Sequence, residues 1–309
     1  MFADLRFAFR SLSKTPGFSL VAILTMGIAI GACTSLFSVL QAVVLRPLSY
    51  PDPETLVSLW ASQPDRNLQA PAISWDKYLA YRERKDVFGE LAIAAGTGFT
   101  LTEGTVEPEQ LFGQQVSANF LTVLGIAPQR GRNFTAEEDR AGGAPVAMIS
   151  HRLWQTRYGG DPAVVGRTVR LDGVAREIIA VLPEPMPVPF KGTDILVTQA
   201  RELPFLNEQQ RDYAVVHLAL ARLAPGVTME QARLRLAEMA AQFRASHPGH
   251  LDAPNQNDPR PLSAQVLGNL GRIFWTLAGA VAAVLLIACA NIANLFLARV
   301  SARQKEIAV

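Results

Sequence analysis

Cysteine is nearly missing from this chain of 309 residues. It has two, Cys33 and Cys289, each inside a long apolar run, and none between them. No disulfide can brace the intervening segment, so that segment must be held by its own core. Net charge is nearly missing too. The 29 Lys and Arg against 27 Asp and Glu leave +2, too little for the electrostatic footprint of a nucleic-acid binder. Common catalytic and nucleotide motifs are also lacking. There is no G-x-x-x-x-G-K-[ST] loop to cradle phosphates, no H-E-x-x-H pair for zinc and no G-x-S-x-G elbow for a nucleophile. The four histidines are scattered; His247 and His250 flank Pro248-Gly249 in what reads as a polar surface loop. Glu137-Glu138-Asp139, after Thr135, reads as the solvated first turn of a helix, where negative charge favours the N-terminus. No enzymatic activity, metal or cofactor is expected.

What is present is a pair of apolar runs. From Ile273 to Ala298 no residue is charged, and Arg272 and Arg299 bracket the run. A helix needs about 20 mostly apolar residues to cross a hydrocarbon core roughly 30 Å thick. A second run lies between the consecutive charges Lys14 and Arg46. It exceeds a signal-peptide core, and it stays apolar past Cys33, where a processed lipoprotein turns polar. Two transmembrane helices are therefore expected, at 18–45 and 272–298. Mean hydropathy of only +0.16 fits a few spans on a large polar body.

Residues 1–17 read as a cytoplasmic amphipathic helix. Phe2, Leu5, Phe9 and Leu12 share a face, with Arg6 and Arg10 elsewhere, although a solvated basic terminus has the same charges. Arg6, Arg10 and Lys14 outnumber Asp4 before the first span, and Arg299, Arg303 and Lys305 outnumber Glu306 after the second. The positive-inside rule then places both termini in the cytoplasm and the middle outside it. Gly27 and Gly31 form a GxxxG step that lets another helix approach. Asn291 and Asn294 fall on one face of the second span. Amides in lipid bond to a partner helix, from another chain or another part of the protein; near the interface they are simply hydrated.

Between the spans, strand-like and helix-like signals alternate. Residues 56–60 read as a strand, and Ser74 caps a helix reaching about Lys85. Strands are expected at 91–95, 99–102, 110–116, 146–149, 168–171 and 176–181, with a short helix at 153–158. Residues 214–223 read as a strand, and Thr228 with Gln231 makes the capping box of a helix to Phe243. The Pro- and Asn-rich 247–261 reads as a linker into a last strand near 262–266. Two subdomains follow: an α/β part from 46–116 and 209–271, and a β-rich insert at 117–208.

Several stretches, in order, carry a family resemblance: RSLSKTPGFS before the first span, VVLRPLSYPDPETLV after it, VSANFLTVLGIAPQRGRNF at 116–134, LWQTRYGGDPAVVG at 153–166, LARLAPGVTMEQA at 220–232 and IACANIANLFLARVSARQKEIAV at 287–309. The chain resembles the N-terminal half of MacB-like/FtsX-like ABC transporter permeases, closest to the duplicated orphan-permease subgroup. The resemblance implies an α+β membrane protein of the cell inner membrane. Its two transmembrane helices would flank an extracytoplasmic porter-plus-sabre domain, the MacB-like periplasmic core. The α/β part then corresponds to the porter and the insert to the sabre. It implies a separate ABC ATPase as partner, another permease half or chain, and a role in export driven by ATP hydrolysis. Residues 299–309 would begin the cytoplasmic coupling segment, with Arg303, Lys305, Glu306 and Ile307 at its R-x-x-E-I motif. Family members continue into further spans beyond the position of Val309, so the chain is expected to be a partial permease. The competing reading is a two-anchor extracytoplasmic sensor or interaction protein.

Overall fold

A computed structural model describes residues 16–40, 50–63, 68–103, 106–184, 186–187, 189–267 and 270–307, with some side chains of its terminal helices left out of the description. The elements in order are α1 (Pro16–Leu40), β1 (Leu56–Gln63), β2 (Leu68–Ala70), α2 (Trp75–Arg82), β3 (Phe88–Glu103), β4 (Val106–Val116), α3 (Phe120–Leu124), β5 (Arg130–Gly131), β6 (Val146–Ile149), α4 (His151–Tyr158), β7 (Thr168–Leu171), β8 (Val174–Val181), β9 (Ile195–Val197), α5 (Glu208–Arg211), β10 (Leu218–Leu223), α6 (Met229–Ser246), β11 (Gln256–Pro261), α7 (Leu262–Leu267) and α8 (Leu270–Ile307). The chain divides into two compact units: Met1–Arg46 with Leu267–Val309, and Pro47–Val266.

In the Pro47–Val266 unit the described strands form one sheet, in the order β11-β1-β10-β3-β4-β9-β6-β8-β5, with β2 on β1 and β7 on β3 and β8. Pairing is antiparallel except at β4–β9 and β6–β8. The sheet is covered on both faces. On β1, Leu56 joins one apolar cluster and its neighbour Val57 another, both fully buried, as a side-chain period of two demands. One face packs on α3 through Phe120, Leu121 and Leu124. The other packs on α2 and α6 through Tyr78, Tyr81 and Leu236 at one end, and on α4 through Leu153 and Trp154 at the other. Strands β6 to β9, from the expected insert, extend the sheet that begins with the flanking strands, β9 lying beside β4.

Local chemistry fixes the helix starts. The Ser74 and Ser150 side chains accept from the backbone N–H of Lys77 and Leu153. Thr228 and Gln231 close a reciprocal capping box on α6. The expected strands at 91–95 and 99–102 are one strand, β3, of 16 residues. Gly113 of β4 is required opposite it, because a Cβ there would lie 2.6 Å from the Phe99 ring.

Two expectations near the end are corrected. The strand is β11, at Gln256–Pro261 within the expected linker, and the expected last strand is the helix Leu262–Leu267. QNDPRP has little intrinsic strand preference, but six of its residues pair with β1. It lies at the sheet edge, where Pro259 and Pro261 are tolerated. The acidic triplet 137–139 also departs from expectation: it forms a turn and no helix.

In the other unit, α1 is helical over 25 residues and α8 over 38. The two pack together, with Ala29 and Ala288 buried. Among the described residues, no helix is long and apolar enough to cross a membrane. The spans expected at 18–45 and 272–298 fall on α1 and α8, and their membrane character rests on sequence alone. The amphipathic helix expected at 1–17 lies almost wholly outside the described residues.

Candidate functional site

The residues singled out in the sequence are spread along α1 and α8. Gly27 and Gly31 are exposed, and a Cβ built on either meets nothing within 4 Å among the described residues. They sit two positions on either side of the buried Ala29, hence about 200° around the helix and away from it. Asn291 and Asn294 are exposed as well. Arg303, Lys305, Glu306 and Ile307 fall on the last turns of α8, and their side chains lie outside the description.

The polar groups that the structure does organise lie in the Pro47–Val266 unit. Lys77 of α2 is fully buried and ends against Asp252, also fully buried. Its Nζ donates to Asp252 O at 2.7 Å, to Asp252 Oδ1 at 3.1 Å and to Asn255 O at 3.0 Å. The second carboxylate oxygen accepts from Ser74 N at 2.8 Å. Asn255 Nδ2 also donates to Asp252 Oδ1, at 2.6 Å, and Tyr81 OH donates to Asn257 Oδ1, at 2.9 Å. Burial pushes the Lys77 pKa down, and Asp252 pulls it back up. A charge this deep persists only because every proton has an acceptor. The network fastens the loop that leads into β11 to α2, at the opposite end of β11 from Pro261, where the chain leaves the sheet.

A second hub stands where the chain first joins the sheet. Arg222 of β10 donates through Nε to Val123 O at 3.1 Å. Its Nη1 donates to Pro51 O at 2.9 Å, Asp52 O at 3.2 Å and Thr55 Oγ1 at 2.8 Å. Asp52 there has φ of 45°, a left-handed conformation that needs such support.

A third cluster corrects the reading of the acidic triplet. Glu138 is buried and pairs with Arg132 at 3.0 Å through Nη1, and that hydrogen bonding holds its carboxyl below the usual range. Asp139 turns inward: Oδ2 accepts from Ala118 N at 3.0 Å and Oδ1 from Gln199 N at 2.8 Å. Burial pushes its carboxyl up against these hydrogen bonds. His250, expected on the surface, is buried against Phe243 and Tyr213, ring centroids 5.1 and 4.8 Å away.

Residues 19–239 match the family described as the MacB-like periplasmic core domain. The chain belongs to that family. Solved structures agree on the fold. One is the periplasmic region of MacB from Actinobacillus actinomycetemcomitans, with TM-score 0.53 and 10% identity over 74% of this chain and 96% of that one. Another is a domain of a candidate permease from Porphyromonas gingivalis, with TM-score 0.52 and 16% identity over 69% of this chain and 93% of that one. No curated protein matches.

In this MacB-like chain, sequence reasoning missed Lys77, Asp252, Arg222 and Asp139. One had a readable signal. Lys77 is three residues after the cap Ser74 and four before Tyr81, so it shares the face that Tyr81 buries. A cation on that face demands a partner. Asp252 and Asp139 sit in irregular backbone, where no periodicity points to them.

Proposed function

We propose that this MacB-like chain is the membrane-anchored permease subunit of an ABC transporter. In this reading α1 and α8 span the cell inner membrane, with both termini in the cytoplasm. The Pro47–Val266 unit stands outside, and movement of α1 and α8 couples it to ATP hydrolysis on a separate ATPase. The chain itself is non-catalytic and serves export. Family membership over 19–239 is the observation that carries the reading.

Two further observations support it. Leu20, Ile23 and Ile28 of α1 are 60, 64 and 65% exposed, and Trp275 and Leu286 of α8 are 76 and 71% exposed. Rows of large apolar side chains facing outward are stable in lipid and costly in water. The bracing of the start of β1 by Arg222 suits a unit driven from its attachment point, since a soft junction would absorb the motion. Arg303, Lys305 and Glu306 would meet the ATPase at the cytoplasmic end of α8.

Topology tests this directly. In a chain with Cys33→Ala and Cys289→Ala, a cysteine replacing the exposed Glu137 should react with an impermeant maleimide on intact cells. A cysteine replacing Ser301 should react only after permeabilisation. Reversed labelling, or recovery of the chain from cells without detergent, overturns the reading.

A further inference from the structure

A hollow of about 550 Å³ opens beside α2, against the buried side chains of Tyr78 and Leu91. Trp75, Arg82, Arg140 and Gln199 also line it. Trp75 and Tyr78 place their rings 5.4 Å apart and tilted, with Trp75 half-buried and Tyr78 nearly covered.

The wall is held in one shape. Gln199 has φ of 66°, where a non-glycine residue stays only if its surroundings fix it. They do so from four sides. Its N–H donates to Asp139 Oδ1 at 2.8 Å, and its carbonyl accepts from Gln115 Nε2. Its side-chain amide donates to Arg140 O at 3.2 Å and Gly143 O at 3.3 Å. The Asp139 carboxylate also holds Ala118, another lining residue, so one half-buried acid fixes two segments of the wall. Strain that is over-determined in this way gathers at binding sites, and a pre-formed pocket is what a small ligand needs.

The charges in the hollow are unequally committed. Among the acids, Asp139 is taken by backbone N–H groups and Glu90 by Asn119 Nδ2 at 2.8 Å. Glu202 is taken by Arg201 at 3.0 Å and by Arg211. Arg201 is further bound by both oxygens of Asp212, at 2.7 and 2.9 Å. Arg82 differs. Its guanidinium lies 5.8 Å from the Tyr78 ring centroid and pairs only with its chain neighbour Glu83 among the acids, at 3.1 Å. Glu83 is 74% exposed, so that pair is cheap to replace. Among the described residues the exposed Arg140 guanidinium has no side-chain partner.

We propose that this hollow binds a soluble amphiphilic anion, its aromatic or acyl body against Trp75, Tyr78 and Leu91 and its single anionic group paired with Arg82 and Arg140. Guanidinium groups beside an aromatic surface favour this combination over a bare anion or a cation.

The full chain in lipid nanodiscs, labelled with fluorotryptophan, tests the site by fluorine NMR, with the Trp75 signal assigned from Trp75→Phe. Naphthalenesulfonate is titrated beside inorganic phosphate and naphthylmethylammonium. The expected result is a saturable shift of the Trp75 signal by naphthalenesulfonate, with affinity at least ~5-fold above either comparison ligand. Arg82→Glu with Arg140→Glu should weaken it ~10-fold, the value of one charge-assisted contact, while the Trp154 signal stays in place. Arg140→Glu alone should give a smaller loss in the same direction. No saturable shift, an equal response to phosphate alone or to the cation, or binding that survives both reversals overturns the proposal. None of these outcomes bears on membrane topology, so the site can fail while the permease reading stands.

Discussion

The two units of the chain treat polarity in opposite ways. In Pro47–Val266 a lysine and an aspartate are buried to 0% exposure, while Leu56, Leu59 and Leu220 are sealed from water. In α1 and α8 the large apolar side chains face out and small residues, Ala29 and Ala288, are buried. A sheet domain folded by water hides its apolar surface and must answer every polar group it buries. A helix pair in lipid gains nothing by hiding leucine, and it packs through residues that let backbones approach. On the proposed permease reading, one chain is written for two solvents.

The sharpest way to break that contrast is to leave a charge unanswered in the sheet unit. Lys77→Met removes three donated bonds and strands the Asp252 carboxylate. The expected loss is ~3–5 kcal/mol, and adding Asp252→Asn should restore part of it because no charge is then left buried. Denaturant unfolding of the full chain in detergent, followed by tryptophan fluorescence, measures both. A loss below ~1 kcal/mol for Lys77→Met would mean that the network carries little of the unit's stability.

Matched leucine truncations compare the two units directly. Leu220, on β10 of the sheet, is fully buried and Leu286 is 71% exposed on α8. Leu220→Ala should cost ~2–5 kcal/mol, and Leu286→Ala under ~1 kcal/mol. Equal costs in the same unfolding assay would show that Leu286 is packed against protein.

A titration gives a smaller effect, confined to the sheet unit. His217 is fully buried; its Nε2 lies 2.7 Å from Ala200 O and so carries the proton, while Nδ1 has no partner among the described residues. Burial pushes its pKa below the ordinary 6.5. Below pH 6.5 the unfolded chain therefore binds a proton that the folded chain resists. Stability is full above 6.5 and falls as the pH drops toward the folded value, by at most ~1.4 kcal/mol per pH unit. His217→Gln keeps a donor toward Ala200 O and cannot titrate. Its unfolding midpoint should fall less than the parent's between pH 6.5 and 5, and an unchanged slope would assign the effect to other groups.

Much of the sheet unit was legible because its signals are local. Ser74 and Thr228 cap helices through bonds to residues three positions on, a spacing visible in the sequence. β11 was not legible, since Gln256–Pro261 is a strand only because β1 offers it an edge. The Asp139 clasp was equally hidden: its partners Ala118 and Gln199 lie 21 and 60 residues away. Acidic triplets look solvated unless the fold brings orphan N–H groups to them. Gly27 and Gly31 read in the sequence as a close-approach step, yet no described residue approaches either of them, and nothing in sequence says which face of α1 meets α8.

That face supplies the smallest expected effect and the finest test of the contrast. Gly31 is exposed, with no neighbour among the described residues where a Cβ would stand, and lies about 200° around α1 from the buried Ala29. Within the chain, Gly31→Leu should then be nearly silent, changing unfolding by less than ~0.5 kcal/mol. Between chains it should matter, because a GxxxG face without partner gains its packing energy only from a second helix at close range. Energy transfer between labelled copies in vesicles, or between this chain and another permease half, reads that association. Weaker transfer with unchanged unfolding identifies the Gly27–Gly31 face as the one offered to another helix. Loss of stability would instead mean that the face is already occupied within the chain, and transfer equal to the parent's would show that the step is incidental.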